Sequence, residues 1–225
     1  MLKSTFTILL FTLSAQAQIA PRPFIRAVGQ ATVSVTPDQA KVQFAVITQA
    51  PTATAASTQN ANQVTVLLAA LRSVLGQNAE LKTISYSLNP NYSNPRDGSQ
   101  PIVVGYTASN IVEVTVADLS AIGKVIDTGI QAGANRVQGL QFSLKNDQPA
   151  RQQALKLATA QSKNHADAMA SGLNLRTGSP LSIEEGVSTG IRPVNGVQTT
   201  ASVTPIESGQ LDVSATVTLV IELSQ

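Results

Sequence analysis

The chain has 225 residues, a formal net charge of +2, one histidine and no cysteine. The lack of cysteine excludes disulfide bonds, thiolate nucleophiles and cysteine-ligated metals, and so small a net charge argues against nucleic acid as a partner. The length allows one large domain or two small ones. Because only 4% of the residues are aromatic, the core must be built mainly from Val, Ile, Leu and Ala.

Residues 1–17 have the three parts of a secretory signal peptide. Lys3 supplies a positive charge, Phe6–Leu13 is an apolar run, and Ala15-Gln16-Ala17 is an A-x-A cleavage site. We therefore expect an exported protein that is periplasmic, associated with the outer membrane or secreted, with a flexible lead over residues 18–24. The alternatives are a buried N-terminal helix or an uncleaved anchor, but the apolar run is too short to span a bilayer. No transmembrane segment is expected in the mature chain.

Hydrophobic periodicity divides residues 25–225, interpreted as a single domain, into seven strands and three helices. The predicted strands are Ile25–Val35, Lys41–Thr48, Leu81–Tyr92, Ile102–Val116, Asn135–Leu144, Ser179–Glu185 and Gln210–Leu223. The predicted helices are Pro51–Leu75, Leu119–Ala132 and a third that begins at Asp147 and Pro149 and reaches about Leu173. Residues 187–205 are rich in Gly, Thr, Ser and Pro without periodicity, which predicts a long mobile loop.

The order of these elements, ββαββαβαββ, predicts an α+β fold in which a largely antiparallel sheet has three helices packed on it. The first two strands are separated only by the turn sequence Thr36-Pro37-Asp38. Strands joined by so short a turn usually pair with each other, so these two are expected to form a hairpin.

Glycine and aspartate mark several expected boundaries and irregularities. Gly76 and Gly133 are expected to end the first two helices, and Asp118 is a good N-cap for the second. The apolar positions of the fifth strand do not share one parity, which predicts a bulge near Gly139. Gly105, inside the fourth strand, indicates a bulge or a close contact with another backbone.

Short motifs spread over residues 25–223 resemble the SIMPL-domain family. They are Gly29-x-Ala31 with Thr36-Pro37-Asp38, Thr83-x-x-Tyr86-x-Leu88-x-Pro90-x-Tyr92, Gly105-Tyr106-x-Ala108-x-Asn110, Gly123-x-x-Ile126-Asp127, Gly133-Ala134-Asn135-x-Val137-x-Gly139-x-x-Phe142-Ser143, Gly178-x-Pro180-x-x-Ile183-x-Glu185 and Val213-x-Ala215-x-Val217. The resemblance implies a non-enzymatic, self-assembling protein of the bacterial envelope. Some members are linked to oxidative stress tolerance, and one forms a ring or channel-like oligomer. No catalytic residues are established for the family, so none is carried over.

His165 is the only histidine and therefore the only possible base of a Ser-His-Asp triad. Its place in the middle of the third predicted helix favours a surface histidine or one packed beside the sheet. Lys163 and Asp167 flank it without the spacing of metal ligands. Glu184 and Glu185 are adjacent on a strand and point to opposite faces, so they cannot act together as acid and base. No catalytic residue, metal site or cofactor is expected.

The polar tip between the third and fourth strands is the candidate for a contact between molecules. All three tyrosines lie in this hairpin, and Tyr86 and Tyr106 are expected near one another on one face. Tyrosine suits an interface because it buries area and keeps a polar handle. The predicted interface residues are Tyr92, Asn94, Arg96 and Asp97. The alternative is that the tyrosines only pack in the core.

The leading expectation is thus an exported, non-enzymatic homo-oligomer of the cell envelope, with other envelope proteins as further candidate partners. An oligomeric channel-like or scaffold protein at the outer membrane is the first alternative. A secreted hydrolase that uses His165 is the second.

Overall fold

The structure is a computed structural model and describes residues 22–93, 100–186, 192–194 and 206–225. The strands are β1 (Phe24–Val35), β2 (Gln39–Ala50), β3 (Leu81–Ser93), β4 (Ile102–Val116), β5 (Arg136–Ser143), β6 (Arg176–Glu185), β7 (Arg192–Val194) and β8 (Gln210–Ser224). The helices are α1 (Ala53–Leu75), α2 (Ile122–Gln131) and α3 (Gln148–Gly172), and a 3-10 turn, Leu119–Ala121, leads into α2. The predicted α+β class and order of elements are confirmed, with the short β7 added inside the segment predicted as a loop. The predicted signal peptide lies outside the described residues.

The described strands form two antiparallel sheets. Sheet 1 has the order β1-β8-β6, with β7 also paired to β8, and sheet 2 has the order β3-β4-β2-β5. The predicted β1–β2 hairpin is wrong, because β1 pairs with β8 over its whole length, from Phe24↔Glu222 to Val35↔Leu211. The reason lies in β2, which is a central strand and has both of its edges occupied by β4 and β5.

The larger core lies between sheet 2 and the helices α1 and α2. One side of α1 faces the sheet, and Val64, Leu67 and Leu71 are buried there. They pack against alternate valines of β2 and β4 and against α2, which contributes Ile122, Val125 and Ile126. The ring of Phe44 passes so close to α2 that a Cβ on Gly129 would lie 2.4 Å from it.

The second layer consists of sheet 1 and α3, which packs on β1 and β8. The buried residues of α3 are small and recur every four positions: Ala150, Ala154, Ala158, Ser162, Ala166 and Ala170. Such a row brings the helix backbone close to the strands, because no long side chain holds the two apart. The approach is closest at Gly29, where a Cβ would lie 2.0 Å from the carbonyl oxygen of Ala158.

Asp38 joins the two connections between the layers. The chain passes from β1 to β2 through residues 36–38 and returns from β5 to α3 through residues 144–147. The backbone N–H of Asp38 donates to the Ser143 carbonyl at 3.3 Å, and the N–H of Lys145 donates to Asp38 Oδ1 at 2.7 Å. The carboxylate therefore ties one connection to the other.

The predicted boundaries agree with the structure at several points. Gly76 ends α1 with φ at 91°, and Gly133 follows α2 with φ at 103°, both in the left-handed region that glycine favours. Asp118 accepts a hydrogen bond from the N–H of Ser120 and so caps the turn before α2. The predicted bulge near Gly139 is confirmed, since the register shifts between its partner Gln43 and Phe44.

Candidate interaction surface

The end of the β3–β4 hairpin leaves the body of the protein. Strand β2 ends at Ala50, opposite Tyr106, so beyond that point β3 is the only described strand that pairs with β4. Helix α1 begins at Ala53 and covers the hairpin no further than Tyr106, which packs beside Ala55. We call the remaining two-stranded segment, residues 90–93 of β3 and 102–105 of β4, the arm.

A bulge marks the base of the arm. The register shifts between Asn91↔Gly105 and Tyr92↔Val103, which leaves Val104 without a partner on β3. Bulges bend a strand and change the direction in which its side chains point. Gly105 also permits a close backbone approach, since a Cβ there would lie 3.1 Å from the Ala50 carbonyl oxygen. Both interpretations of Gly105 are therefore confirmed.

Four large apolar side chains of the arm are exposed. The exposed fractions are 58% for Tyr92, 61% for Ile102, 46% for Val103 and 58% for Val104. A two-stranded hairpin has no core of its own and is only marginally stable in water without something to pack against. Contiguous exposed apolar residues of this kind are typical of surfaces that bind other molecules.

The predicted interface residues fall partly on this surface. Tyr92 lies in the arm and is exposed, whereas Asn94, Arg96 and Asp97 lie outside the described residues. The apolar side chains of residues 102–104 are additional candidates that the sequence interpretation had assigned only to a strand. The consecutive run Ile-Val-Val at the start of β4 was the available signal, because it breaks the alternation expected of a half-buried strand.

The other two tyrosines do not form a pair. Tyr86 is opposite Asn110 and Tyr106 is opposite Pro90, so they share a face but lie four positions apart along the hairpin. Tyr86 instead donates its hydroxyl to Ser57 Oγ of α1 at 3.1 Å. The expectation that Tyr86 and Tyr106 are close neighbours is therefore wrong.

Three polar side chains contact one another across the strands that lead to the arm, on the face of sheet 2 turned away from α1 and α2. Lys82, Glu113 and Gln43 are directly opposite one another on β3, β4 and β2. Gln43 Nε2 donates to Glu113 at 3.0 Å, and Lys82 Nζ lies 3.2 Å from the same carboxylate, which is only 8% exposed. The hydrogen bond from Gln43 is the largest cause that lowers the pKa of Glu113, and the contact with Lys82 adds to it. Together they hold this pKa below its ordinary value, although burial raises it.

His165 lies on an exposed flank of α3. Its Nδ1 is 2.8 Å from the carbonyl oxygen of Val28, to which it donates. The nearby hydroxyl of Ser162 donates to the Thr159 carbonyl of its own helix at 2.8 Å, so it is not directed at the imidazole. The expected place of His165, beside the sheet near the surface, agrees with this arrangement.

Asp167, two residues further along the helix, forms an ion pair with Lys163 and accepts from Thr177 Oγ1 at 2.5 Å. Lys163, and then Thr177, lower the pKa of the Asp167 carboxyl. Within the described parts of the chain, no group of three or more His, Cys, Asp or Glu residues is placed to hold a metal ion. No helix among those described combines the length and apolar character needed to cross a membrane.

Fold and surface together define a class: an α+β protein with two helix-backed antiparallel sheets and an exposed apolar arm. The SIMPL family, described as a protein of unknown function (DUF541), matches residues 25–221. The chain belongs to this family, as its motifs predicted.

Three relatives give the comparison more detail. The 26 kDa periplasmic immunogenic proteins of Brucella melitensis and Brucella abortus are each 31% identical over 182 residues, covering 77% of this chain and 72% of each relative. The uncharacterized protein YggE of Escherichia coli K12 is 26% identical over 177 residues, covering 78% of this chain and 71% of the relative. None of these names indicates an enzymatic activity.

Proposed function

We propose that this chain is an exported protein of the cell envelope that acts by assembling with copies of itself, without turnover chemistry, and that the arm forms the contact. One observation carries the proposal: the arm extends beyond β2 and α1 with four large apolar side chains exposed. A soluble protein gains little from such a segment unless another surface covers it.

The expected strength of this contact follows from the exposed side chains. Full burial of a Val, Ile or aromatic side chain contributes about 1.5–3 kcal/mol, so a half-exposed one contributes about 1 kcal/mol more on contact. A symmetric contact between two arms then gains about 8 kcal/mol from eight side chains, which is within the range of the cost of association, about 4–15 kcal/mol. At least about 4 kcal/mol of that gain is lost to association, so the apolar side chains alone leave at most about 4 kcal/mol, which corresponds to a contact of about millimolar strength between two copies.

The predicted tip residues Asn94, Arg96 and Asp97 extend the same surface in this proposal. They lie within the four residues that follow Ser93 in the chain. Arg96 and Asp97 carry opposite charges, so a symmetric contact between two tips can pair the arginine of one copy with the aspartate of the other. Polar and charged side chains are typical of the rim around an apolar contact.

Export through residues 1–17 to the periplasm, or to the outer membrane, is the second part of the proposal. The Brucella relatives are named periplasmic, and the N-terminal pattern of this chain supports the same route. Expression of the full chain in a Gram-negative host, followed by fractionation and N-terminal sequencing, tests it. The proposal predicts a periplasmic product that begins at Gln18, and an unprocessed cytoplasmic product would contradict it. A link to stress tolerance rests on the family resemblance alone.

The mass of the mature chain in solution tests assembly. Light scattering across a concentration series up to about 1 mM is expected to show a mass above that of the monomer, because a contact of about millimolar strength is populated there. The double variant Tyr92→Ser/Val104→Ser should shift the distribution to monomer. Val66→Ser is the matched control, since Val66 is 57% exposed on α1 and lies away from the arm. A wild type that stays monomeric throughout the series would overturn the assembly proposal.

One further measurement distinguishes the channel-like alternative from a closed scaffold. Leakage of dye from liposomes after addition of the assembled wild-type protein would favour a pore over a closed scaffold. Assemblies that form in solution and release no dye would favour the scaffold.

A further inference from the structure

Among the described strands, β1 is an outer strand of sheet 1 and pairs with β8 alone. In an antiparallel ladder, successive residues direct their N–H and C=O groups alternately toward the partner and away from it. The carbonyl of Pro23 accepts from the N–H of Leu223 and so faces β8. The even-numbered residues of β1 therefore direct their backbone groups to the open edge, and such an edge is a template for pairing with another chain.

Two side chains of α3 occupy this open edge. His165 Nδ1 donates to the Val28 carbonyl oxygen at 2.8 Å, and the N–H of Gln30 donates to Gln161 Oε1 at 2.6 Å. Val28 and Gln30 are both even-numbered, as the alternation requires. The two contacts satisfy one outward carbonyl and one outward N–H in the middle of the strand.

The spacing of helix and strand explains why the two contacts occur together. Residues four apart on a helix are separated by about 6 Å along its axis, and residues two apart on a strand by about 6.8 Å. Gln161 and His165 therefore match Gln30 and Val28. The match needs the helix close to the strand, and the closest approach is at Gly29, between the two bonded residues.

We infer that Gln161 and His165 close the outer edge of β1 against pairing with the same edge of a second copy of the chain. An approaching strand would have to break both hydrogen bonds and displace both side chains before its own ladder could form. The second copy is the relevant occupant because β1 has twelve residues, and two such edges can pair antiparallel along their full length. The outward-facing groups of Arg26 and Thr32 flank the closed centre, so they would add to such a ladder once the centre opened.

Closure of the β1 edge is independent of the proposed contact through the arm, which lies in sheet 2. It concerns a contact that the wild-type protein avoids, so it applies whether the wild type is a monomer or an assembly. In an assembly, it restricts growth to contacts other than the edge of β1.

Amide hydrogen exchange tests the contact itself. In the double variant Gln161→Ala/His165→Ala, the Gln30 amide should exchange at least about tenfold faster than in the wild type, because it loses its acceptor. The amides of Ala27 and Gly29, which face β8, should keep their protection. An unchanged rate at Gln30 would show that the Gln161 contact is not formed in solution and would overturn the inference.

Light scattering tests the consequence. The double variant should contain species of at least twice the wild-type mass at about 100 µM, a concentration at which a weak edge contact is populated. Gln152→Ala/Asn164→Ala, at two other exposed positions of α3, should keep the wild-type mass. A double variant with a fast Gln30 amide, a native circular dichroism spectrum and an unchanged mass would also overturn the inference. If the double variant does not fold, the single variant Gln161→Ala decides by the same two measurements, because Gln161 is the acceptor of the Gln30 amide.

Discussion

Gly29→Ala perturbs the closest contact between helix and sheet. The added Cβ would lie 2.0 Å from the Ala158 carbonyl oxygen and 2.4 Å from the Ser162 nitrogen. Real Cβ atoms are essentially never found within 3.0 Å of such atoms. Both neighbours are backbone atoms of α3, so no side-chain rotation can relieve the clash, and the helix must move outward by about 1 Å.

The cost of that movement follows from the packing of α3. A gap of about 1 Å removes up to about half of the dispersion energy of each contact, and the row of alanines from Ala150 to Ala170 has no longer side chain to fill it. Overpacking a core site typically lowers the free energy of unfolding by about 1–3 kcal/mol. We expect a loss at the upper end of this range, because the added Cβ meets backbone atoms. Reduced freedom of the unfolded chain offsets about 0.4–1 kcal/mol. We therefore expect the free energy of unfolding to fall by about 2 kcal/mol.

Urea unfolding followed by circular dichroism measures this loss. Gly139→Ala is the matched control, because a Cβ there would meet the side chain of Gln43 at an ordinary distance of 3.6 Å or more. The control should stay within about 0.5 kcal/mol of the wild type. If Gly29→Ala is no less stable than Gly139→Ala, the close packing of α3 on β1 is refuted.

Three further predictions concern polar contacts, each measured by urea unfolding. The lowered pKa of Glu113 contributes stability that is present above its ordinary pKa of 4.5 and is lost as the pH falls through the lower value in the folded protein. Glu113→Gln should therefore lower stability at about pH 7 more than at about pH 3, and an equal loss at both would contradict this cause. Asp38→Ala leaves the Lys145 N–H without its acceptor and should cost about 1 kcal/mol, whereas Asp38→Asn, which keeps an acceptor oxygen, should cost less. Asn135 donates to the Ile47 carbonyl and accepts from the Ile47 N–H, so Asn135→Ala should cost about 1 kcal/mol; wild-type stability would show that these bonds contribute nothing.

Local signals in the sequence predicted the local structure well. Alternation and helical periodicity placed the strands and helices, and Gly76, Asp118 and Gly139 marked two caps and a bulge that the structure contains. These features depend on residues close together in the chain, so a single sequence carries them. The same locality produced the wrong hairpin, because the true partner of β1 is almost two hundred residues away.

The candidate surfaces depend on contacts between residues that are far apart in the chain. Such contacts could not be predicted from the sequence as well as the local structure could. Alternation from Val104 onward predicted the strand β4, but the arm is defined by the place where β2 ends and α1 begins beside it. Gln161 and His165 resemble any exposed pair four positions apart on a helix. Their role becomes visible only because α3 crosses the edge of β1 at Gly29.

Cross-linking through the arm tests the proposed assembly most directly. The chain has no cysteine, so Ser93→Cys places a single thiol in the arm, and Ser73→Cys places one on the exposed surface of α1 as a control. With a short bis-maleimide and the mature chain at about 1 mM, a concentration that populates millimolar contacts, we expect covalent dimers from Ser93→Cys and monomers from Ser73→Cys. Equal yields from the two positions, or no dimer from Ser93→Cys, would contradict assembly through the arm.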